Sequence, residues 1–322
     1  MSIKTAEFVS PGHPDKICDF IADSILDAYL ENDKESRVGI EVMGGHNLIT
    51  INGEVTSKTS PNLEFLIKKI VGENYKVIIN LSKQSPSIAS GVNTGGAGDQ
   101  GIMKGYATSE TKNMMPLEYE LARNLCQKIY EKYPYDGKVQ VTLDGDKVKT
   151  VVVSFQNSKN KDLLPFVKSI IPAEKYLINP AGEWTIGGFD ADAGLSGRKL
   201  IIDNYGPEIP IGGGSFSGKD CTKVDRSGAY MARKIAVDLL KREILKSKRS
   251  LPASRQAFVK LAYAIGKPDP VMAVAISDGK EISIEGYDLT PKGIKKTLDL
   301  ENVKFSKTSQ WGHFGRAFNW DK

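Results

Sequence analysis

Apolar positions change period along the chain, and the changes mark its elements. Between residues 16 and 30, "KICDFIADSILDAYL" puts Ile17, Ile21, Ile25, Ala28 and Tyr29 on one face at helical spacing, with Asp19, Asp23 and Asp27 mostly off it. That spacing predicts an amphipathic helix. "RVGIEVM" and "NLITING" then alternate as strands do, and Gly44-Gly45 between them predicts a tight reversal. Helical spacing returns in "NLEFLIKKIV" after Pro61, and "YKVIINL" reads as a strand.

The same order recurs twice. From Pro116, "PLEYELARNLCQKIY" is helical, "KVQVTL" and "KVKTVVVSF" are strands turning at Asp144-Gly145, and "KDLLPFVKSII" is a second helix. From Asp225, "DRSGAYMARKIAVDLLKREIL" is helical, and "QAFVKLAYAI" and "VMAVAI" are strands. Asp278-Gly279 turns the chain into "EISIEG", and "TPKGIKKTLDL" adds a helix. Three rounds of helix, antiparallel strands and helix predict an α+β protein of three pseudo-symmetric units, 1–92, 93–186 and 187–322. The boundaries fall in the Gly/Ser/Asn-rich stretch 85–101 and near Gly187-Gly188. No residue identity links the three copies, so a partition into two larger domains also fits.

Composition narrows the class. With 322 residues, 40% hydrophobic and 26% charged, the chain reads as a globular protein of enzyme size. Its apolar runs, such as Val151 to Val153, fall far short of the roughly 18 residues of a membrane span, and the N-terminus lacks a signal peptide's apolar stretch. The three cysteines, Cys18, Cys126 and Cys221, are scattered and form no C-x-x-C pair, which predicts reduced, core-packed thiols in a cytoplasmic protein. His13, His46 and His313 show no paired spacing, so any metal is expected on oxygen ligands, as magnesium would be. A net charge of +5 is mild, and the basic run "KREILKSKRS" (241–250) reads as a solvated helix end rather than a nucleic-acid surface.

Three stretches carry candidate chemistry. In "GGGSFSGKD" (212–220), Gly213 through Lys219 satisfy the phosphate-loop spacing G-x-x-x-x-G-K. Such a loop springs directly from a strand and ends in Ser or Thr. Here the nearest strand candidate, "RKLIIDNY", ends well before Gly212, and Asp220 holds the last position. Lys219, Lys223 and Asp225, with Asp192, Arg198 and Lys199 upstream, instead suit a polyanion bridged to a metal; a solvated basic hinge is the plainer reading.

In "SPGHPDKICDF", His13, Asp15 and Lys16 open a helix, where anions are favoured. His13 could donate to a leaving phosphate oxygen and Asp15 could hold magnesium, or Asp15 could be a cap and His13 an exposed loop residue. "NTGGAGDQGIMKGYAT" (93–108) is glycine-rich around Asp99 and Gln100. Glu41, Glu54 and Gln84 complete the acid and amide candidates.

Together "GHPDK", "GAGDQG" and "GGGSFSGKD", supported by "GRKLIIDNYG", "KVDRSGAYMARKIA", "YAIGKPDP" and "WGHFGR", resemble the methionine adenosyltransferases, also called S-adenosylmethionine synthetases. The similarity is collinear from Ser2 to Asp321. It implies the three-unit α+β fold of that family and a homodimer with active sites at the subunit interface, often paired into a tetramer. It also implies attack of the sulfur of L-methionine on C5′ of ATP, followed by hydrolysis of the released triphosphate to pyrophosphate and phosphate. Two Mg2+ ions per site and K+ would assist.

By motif position the resemblance assigns His13, Lys138, Arg198, Lys199, Lys219 and Lys223 to the triphosphate, with Asp15 and Asp225 to magnesium and Glu41 to potassium. Glu54, Gln84 and Asp192 match methionine-holding positions, where Lys223 also assists; Asp99 matches a residue near the ribose, and Trp184 and Ile265 match the adenine pocket. Between Gln84 and Gly95 only "SPSIASGVNT" stands where the family has a longer closing loop. Two rivals remain: a phosphate-loop kinase or ATPase, which would make ADP, and a shortened relative that binds ATP without turnover.

Overall fold

A computed structural model describes residues 3–83, 95–246 and 255–322. Three four-stranded sheets carry the architecture. The first joins β1 (Ile3–Val9) to β6 (Gly137–Asp144), β7 (Lys147–Phe155) and β8 (Lys175–Ile178), in that order. The second runs β4 (Lys76–Ser82), β3 (Leu48–Thr56), β2 (Arg37–Gly45) and β9 (Gly194–Leu195). The third runs β12 (Lys280–Ile282), β11 (Met272–Ser277), β10 (Gln256–Tyr263) and β5 (Gly101–Thr108).

Each sheet thus takes three strands from one third of the chain and one from another. β1 lies antiparallel on β6 from Ile3↔Asp144 to Val9↔Lys138, β5 lies on β10, and the short β9 pairs with Met43 and Gly44 of β2. The exchange is cyclic and closes on itself. Alternation accounts for the strands: Val38, Ile40 and Val42 face inward, as do Val139, Val141 and Leu143, and Val259, Leu261 and Tyr263.

The helices pack on those inward faces. They are α1 (Pro14–Asn32), α2 (Leu63–Val71), α3 (Leu117–Lys132), α4 (Asn160–Ile170), the turn α5 (Leu200–Asp203), α6 (Val224–Lys246) and α7 (Pro291–Thr297). α6 is buried over most of its length, with Tyr230, Met231, Ile235, Ala236 and Leu240 inside alongside the paired Arg226 and Arg233. Of the basic run 241–250, the helix includes the part to Lys246, and the remainder lies outside the described residues.

Three local expectations are corrected. β2 runs through Gly44-Gly45, and the hairpin reverses one step later, at His46 and Asn47, both with positive φ (50° and 63°). Gly44 serves packing instead: a Cβ there would sit 2.6 Å from the ring of Phe189. "RKLIIDNY" forms the helical turn α5 rather than a strand. Asp19 and Asp23 are fully buried rather than facing solvent.

The reason for the last lies in spacing. Asp15, Asp19, Asp23 and Asp27 recur every fourth residue on one face of α1. Each accepts a backbone N–H from the C-terminal third: Leu195 on Asp15 (2.9 Å), Gly197 on Asp19 (2.8 Å), Gly218 on Asp23 (2.9 Å), and Phe305 and Ser306 on Asp27 (2.8 and 3.0 Å). The acidic face is a rack on which loops hang. Arg226 compensates Asp23 with two 2.7 Å bonds, and Lys16 compensates Asp19 at 2.8 Å and Asp203 at 2.5 Å. Lys16 of the "GHPDK" stretch is therefore a buried brace.

Candidate active site

The start of α1 gathers the first cluster. Asp15 is buried, and its carboxylate meets Lys199 Nζ at 2.5 Å and Arg198 Nη1 at 3.7 Å. Burial opposes ionisation of Asp15, but the bonds from Lys199 and the Leu195 amide outweigh it and hold the carboxyl below its ordinary range. Lys138 stands on β6 opposite Val9 and pairs with Glu7 at 2.5 Å. Asp192 is exposed and accepts the Ala193 amide at 2.8 Å.

His13 caps the helix: its Nδ1 accepts the Asp15 amide at 3.2 Å. Burial, reinforced by Lys199, pushes the imidazole down to about 4. The ring is therefore neutral at pH 7, and because Nδ1 accepts, the proton sits on Nε2 as a hydrogen-bond donor. The Nδ1 to Asp15 approach of 3.9 Å is thus not an ion pair. Trp184 opens the segment leading to Gly188, whose amide donates to Asp136 at 2.9 Å; the segment packs beside this cluster.

The "GGGSFSGKD" loop forms the second cluster. Its glycines serve a carboxylate as much as any ligand, since a Cβ on Gly214 would fall 2.1 Å from Asp225 Cγ. Lys219 Nζ meets Asp225 Oδ2 at 2.6 Å, and Lys223 Nζ meets Asp220 Oδ2 at 2.6 Å. Asp220 is a buried anchor: Oδ2 also accepts the Val38 amide at 2.7 Å and Oδ1 accepts the Thr222 amide at 2.8 Å. Burial raises its proton affinity, yet Lys223 and Thr222 prevail and hold the carboxyl below its ordinary range. Where a phosphate loop places a metal-binding hydroxyl, this chain places a carboxylate that pins the loop to β2.

A cavity of about 450 Å3 opens beside this loop, lined by Glu41, Glu54, Asp99, Lys219, Lys223 and Ile265. Glu54 and Lys223 approach one another over Gly39, which leaves room for both. Burial pushes the Glu41 carboxyl up, against the Ser196 hydroxyl bonded to it at 2.5 Å and the charge of Lys219. Arg37 and Asn52 line the cavity too, and the sequence reading missed them; the only signal was their place on the two strands that carry Glu41 and Glu54.

The two clusters share a strap. Within 195–197, Leu195 bonds Asp15, Ser196 bonds Glu41, and Gly197 bonds Asp19. Yet His13, Asp15, Lys138, Asp192, Arg198 and Lys199 do not line the 450 Å3 cavity, so one chain presents the expected residues as two groups. Gln84 lies outside the described residues. Among the described residues no three His, Cys, Asp or Glu side chains converge as a metal site. Cys18 and Cys126 are buried and free, as expected, and Cys221 is half-buried. No described helix is long and apolar enough to cross a membrane.

Comparison with known proteins agrees along the whole chain. Residues 1–90 match the S-adenosylmethionine synthetase N-terminal domain, 94–184 its central domain and 186–322 its C-terminal domain. An S-adenosylmethionine synthase of Thermus thermophilus is 39% identical over 388 aligned positions, covering 100% of this chain and 96% of the relative. That alignment exceeds the 322 residues of this chain, so the relative carries segments lacking here. A Nitratiruptor S-adenosylmethionine synthase is 39% identical, covering 99% and 95%. The solved structure titled an unusual S-adenosylmethionine synthetase from Campylobacter jejuni superposes with a TM-score of 0.86 at 31% identity, covering 100% and 97%. With three α+β units in one order, the motif loops arrayed on α1 and all three domains matched, the chain belongs to the S-adenosylmethionine synthetase family, the methionine adenosyltransferases.

Proposed function

We propose that the chain joins ATP and L-methionine by direct displacement. The methionine sulfur forms a bond to C5′ while the C5′–O bond breaks and its electron pair leaves on the intact triphosphate. Water then cleaves that triphosphate to pyrophosphate and phosphate. A neutral thioether needs no general base, so the demand on the protein is to stabilise charge gathering on the leaving group.

The observation that carries this reading is the state of the first cluster: a neutral His13, its Nδ1 taken by the Asp15 amide so that Nε2 carries the proton, beside Lys199 and Arg198. Donors held in place before the reaction need no reorganisation as charge develops. In this reading His13, Lys138, Arg198, Lys199 and Lys219 bind the triphosphate. Glu54, Asp192 and Lys223, with Gln84, hold the ammonium and carboxylate of methionine. Asp99 serves the ribose, and Trp184 and Ile265 flank adenine.

Asp15 and Asp225 are hard carboxylates now balanced by Lys199 and Lys219, and Asp15 has both oxygens engaged, so they suit Mg2+ held mainly by phosphate oxygens with those lysines turned to the phosphates; Glu41 with its Ser196 neighbour suits K+. When bound, two Mg2+ and K+ would supply further charge neutralisation along the phosphates. The separation of the two groups within one chain supports a homodimer in which each site pairs the first cluster of one subunit with the second cluster of its partner. Free thiols support a cytoplasmic setting.

Incubation with ATP, methionine, Mg2+ and K+ followed by mass spectrometry tests the reading. S-adenosylmethionine, pyrophosphate and phosphate are expected. ADP as the product would replace it with phosphoryl transfer.

A further inference from the structure

A second cavity, of about 630 Å3, is larger than the one lined by the candidate site residues and lies behind it. It opens between the end of α1, the start of β2 and α7. One pair of loops separates the two spaces: Asp220, Cys221 and Thr222 face the larger cavity while Lys219 and Lys223 line the smaller. Gly95 and Gly96 likewise face the larger, and Gly98 and Asp99 the smaller. The Gly98 amide donates to the Thr222 carbonyl at 3.2 Å, tying the two loops into one partition.

The larger cavity carries five cations, Lys34, Arg37, Lys292, Lys295 and Lys296, against four carboxylates, and Arg37 borders both spaces. Glu35 and Glu301 are both taken by Lys295 (2.8 and 2.9 Å), and Asp220 by Lys223. Asp299 accepts the Asn302 amide nitrogen at 2.8 Å. Against these, Lys292 and Lys296 form no ion pair within 4 Å among the described residues, although the charge of Lys296 reaches Asp288, and Lys34 donates to the Glu301 carbonyl at 3.1 Å beside that residue's carboxylate. The Thr222 hydroxyl is buried with no hydrogen-bond partner among the described residues. Leu30, Pro291 and Leu300 supply apolar floor. The volume lies within the range of small-molecule pockets, roughly 300–1,000 Å3.

We infer that this cavity binds a small organic anion, an apolar body carrying a carboxylate or phosphate, and that its occupancy is transmitted to the methionine side of the site through Asp220 and Lys223. Binding stands on the cavity alone; the effect on methionine rests on the adenosyltransferase reading.

The test uses the whole protein with benzoate and phenyl phosphate as separate probes. Cys221, half-buried and with its thiol pushed up to about 12 by burial, reports occupancy at mildly alkaline pH, because Cys18 and Cys126 are fully buried. Labelling by N-ethylmaleimide should slow about fivefold at about 80% occupancy of the cavity. The KM for methionine should shift at least about twofold over the same probe concentrations. Response to one probe only assigns the anion as carboxylate or phosphate. The variant K292E/K296E, whose activity without probe should match the parent, should lose both responses.

Labelling that neither probe slows, labelling slowed equally in the double variant, or protection with an unmoved KM in an active enzyme overturns the inference. Protection of Cys221 in a protein that makes no S-adenosylmethionine overturns the functional reading instead.

Discussion

Asp220 is the residue at which the phosphate-loop resemblance breaks, and Asp220→Asn tests what it does there. The buried carboxylate satisfies three donors: Val38 N and Lys223 Nζ on Oδ2, Thr222 N on Oδ1. An amide keeps the volume but offers one acceptor oxygen. If that oxygen takes the Oδ2 place, the Thr222 amide faces an NH2 group and is orphaned, at about 1–3 kcal/mol. The bond to Lys223 also loses its ionic half, about 1 kcal/mol more, since charge-assisted bonds are roughly twice as strong as neutral ones. The loss is thus about 2–4 kcal/mol, read as a shift in the urea midpoint at unchanged slope.

Lys223 then loses its fixed position over Gly39, and the KM for methionine should rise about tenfold, equivalent to about 1.4 kcal/mol, with kcat less affected. Urea unfolding and steady-state kinetics on the same preparation decide the matter. A stability loss under about 0.5 kcal/mol together with a KM within about twofold of the parent would refute the anchoring role.

Lys219→Met should lower turnover by roughly 10² to 10³, the usual consequence of removing one well-placed electrostatic donor, and a fall of less than about threefold would count against its contact with the triphosphate. If sites pair two subunits, inactive Lys199→Met and Lys219→Met chains refolded together should recover about a quarter of parental activity, because half of the random dimers carry one intact site of two; no recovery would place each site within one chain. Burial holds His13 at about 4, so the folded state forgoes a proton that the unfolded chain takes up as pH falls below about 6.5. His13→Asn, which keeps a capping oxygen, should gain about 2 kcal/mol on the parent between pH 7 and 4.5 in urea titrations. Burial of Asp203, against the pull of Lys16, lifts its carboxyl to about 7 and acts the opposite way, but it is common to both proteins and cancels in the difference.

Periodicity made the helices and most strands legible, since α1, α3, α4 and the hairpins bury the residues whose spacing marks them. It could not show the strand exchange, because pairing of β1 with β6 or β5 with β10 joins segments more than a hundred residues apart. The aspartate rack escaped for another reason. Acids at every fourth helical position look the same whether they meet water or backbone amides, and only the folded C-terminal loops decide between the two. The motifs located nearly every charged residue of both clusters, but Arg37 sits at a strand start with no motif around it.

Strand exchange and the rack together explain how loops without regular structure can hold charged groups in place. The strap at 194–199 is fastened by β9 pairing to β2 on one side and by Asp15 and Asp19 on the other, so Arg198 and Lys199 are set relative to His13 from two directions. The loop at 216–223 is fastened in the same manner, by Asp23 beneath Gly218 and by Asp220 against Val38. α1 and β2 adjoin in the chain, and both loops reach them from the last third of the sequence. The first cluster could not form in an isolated third of the chain, because Asp15 and the cations it orients come from opposite ends; the second keeps its own Lys219–Asp225 and Lys223–Asp220 pairs but would lose Asp23 and Val38, which fasten its loop. A proteolytic cut that separated the thirds should therefore abolish Asp15–Lys199 and Asp23–Arg226 pairing together, leaving buried charges on each fragment uncompensated.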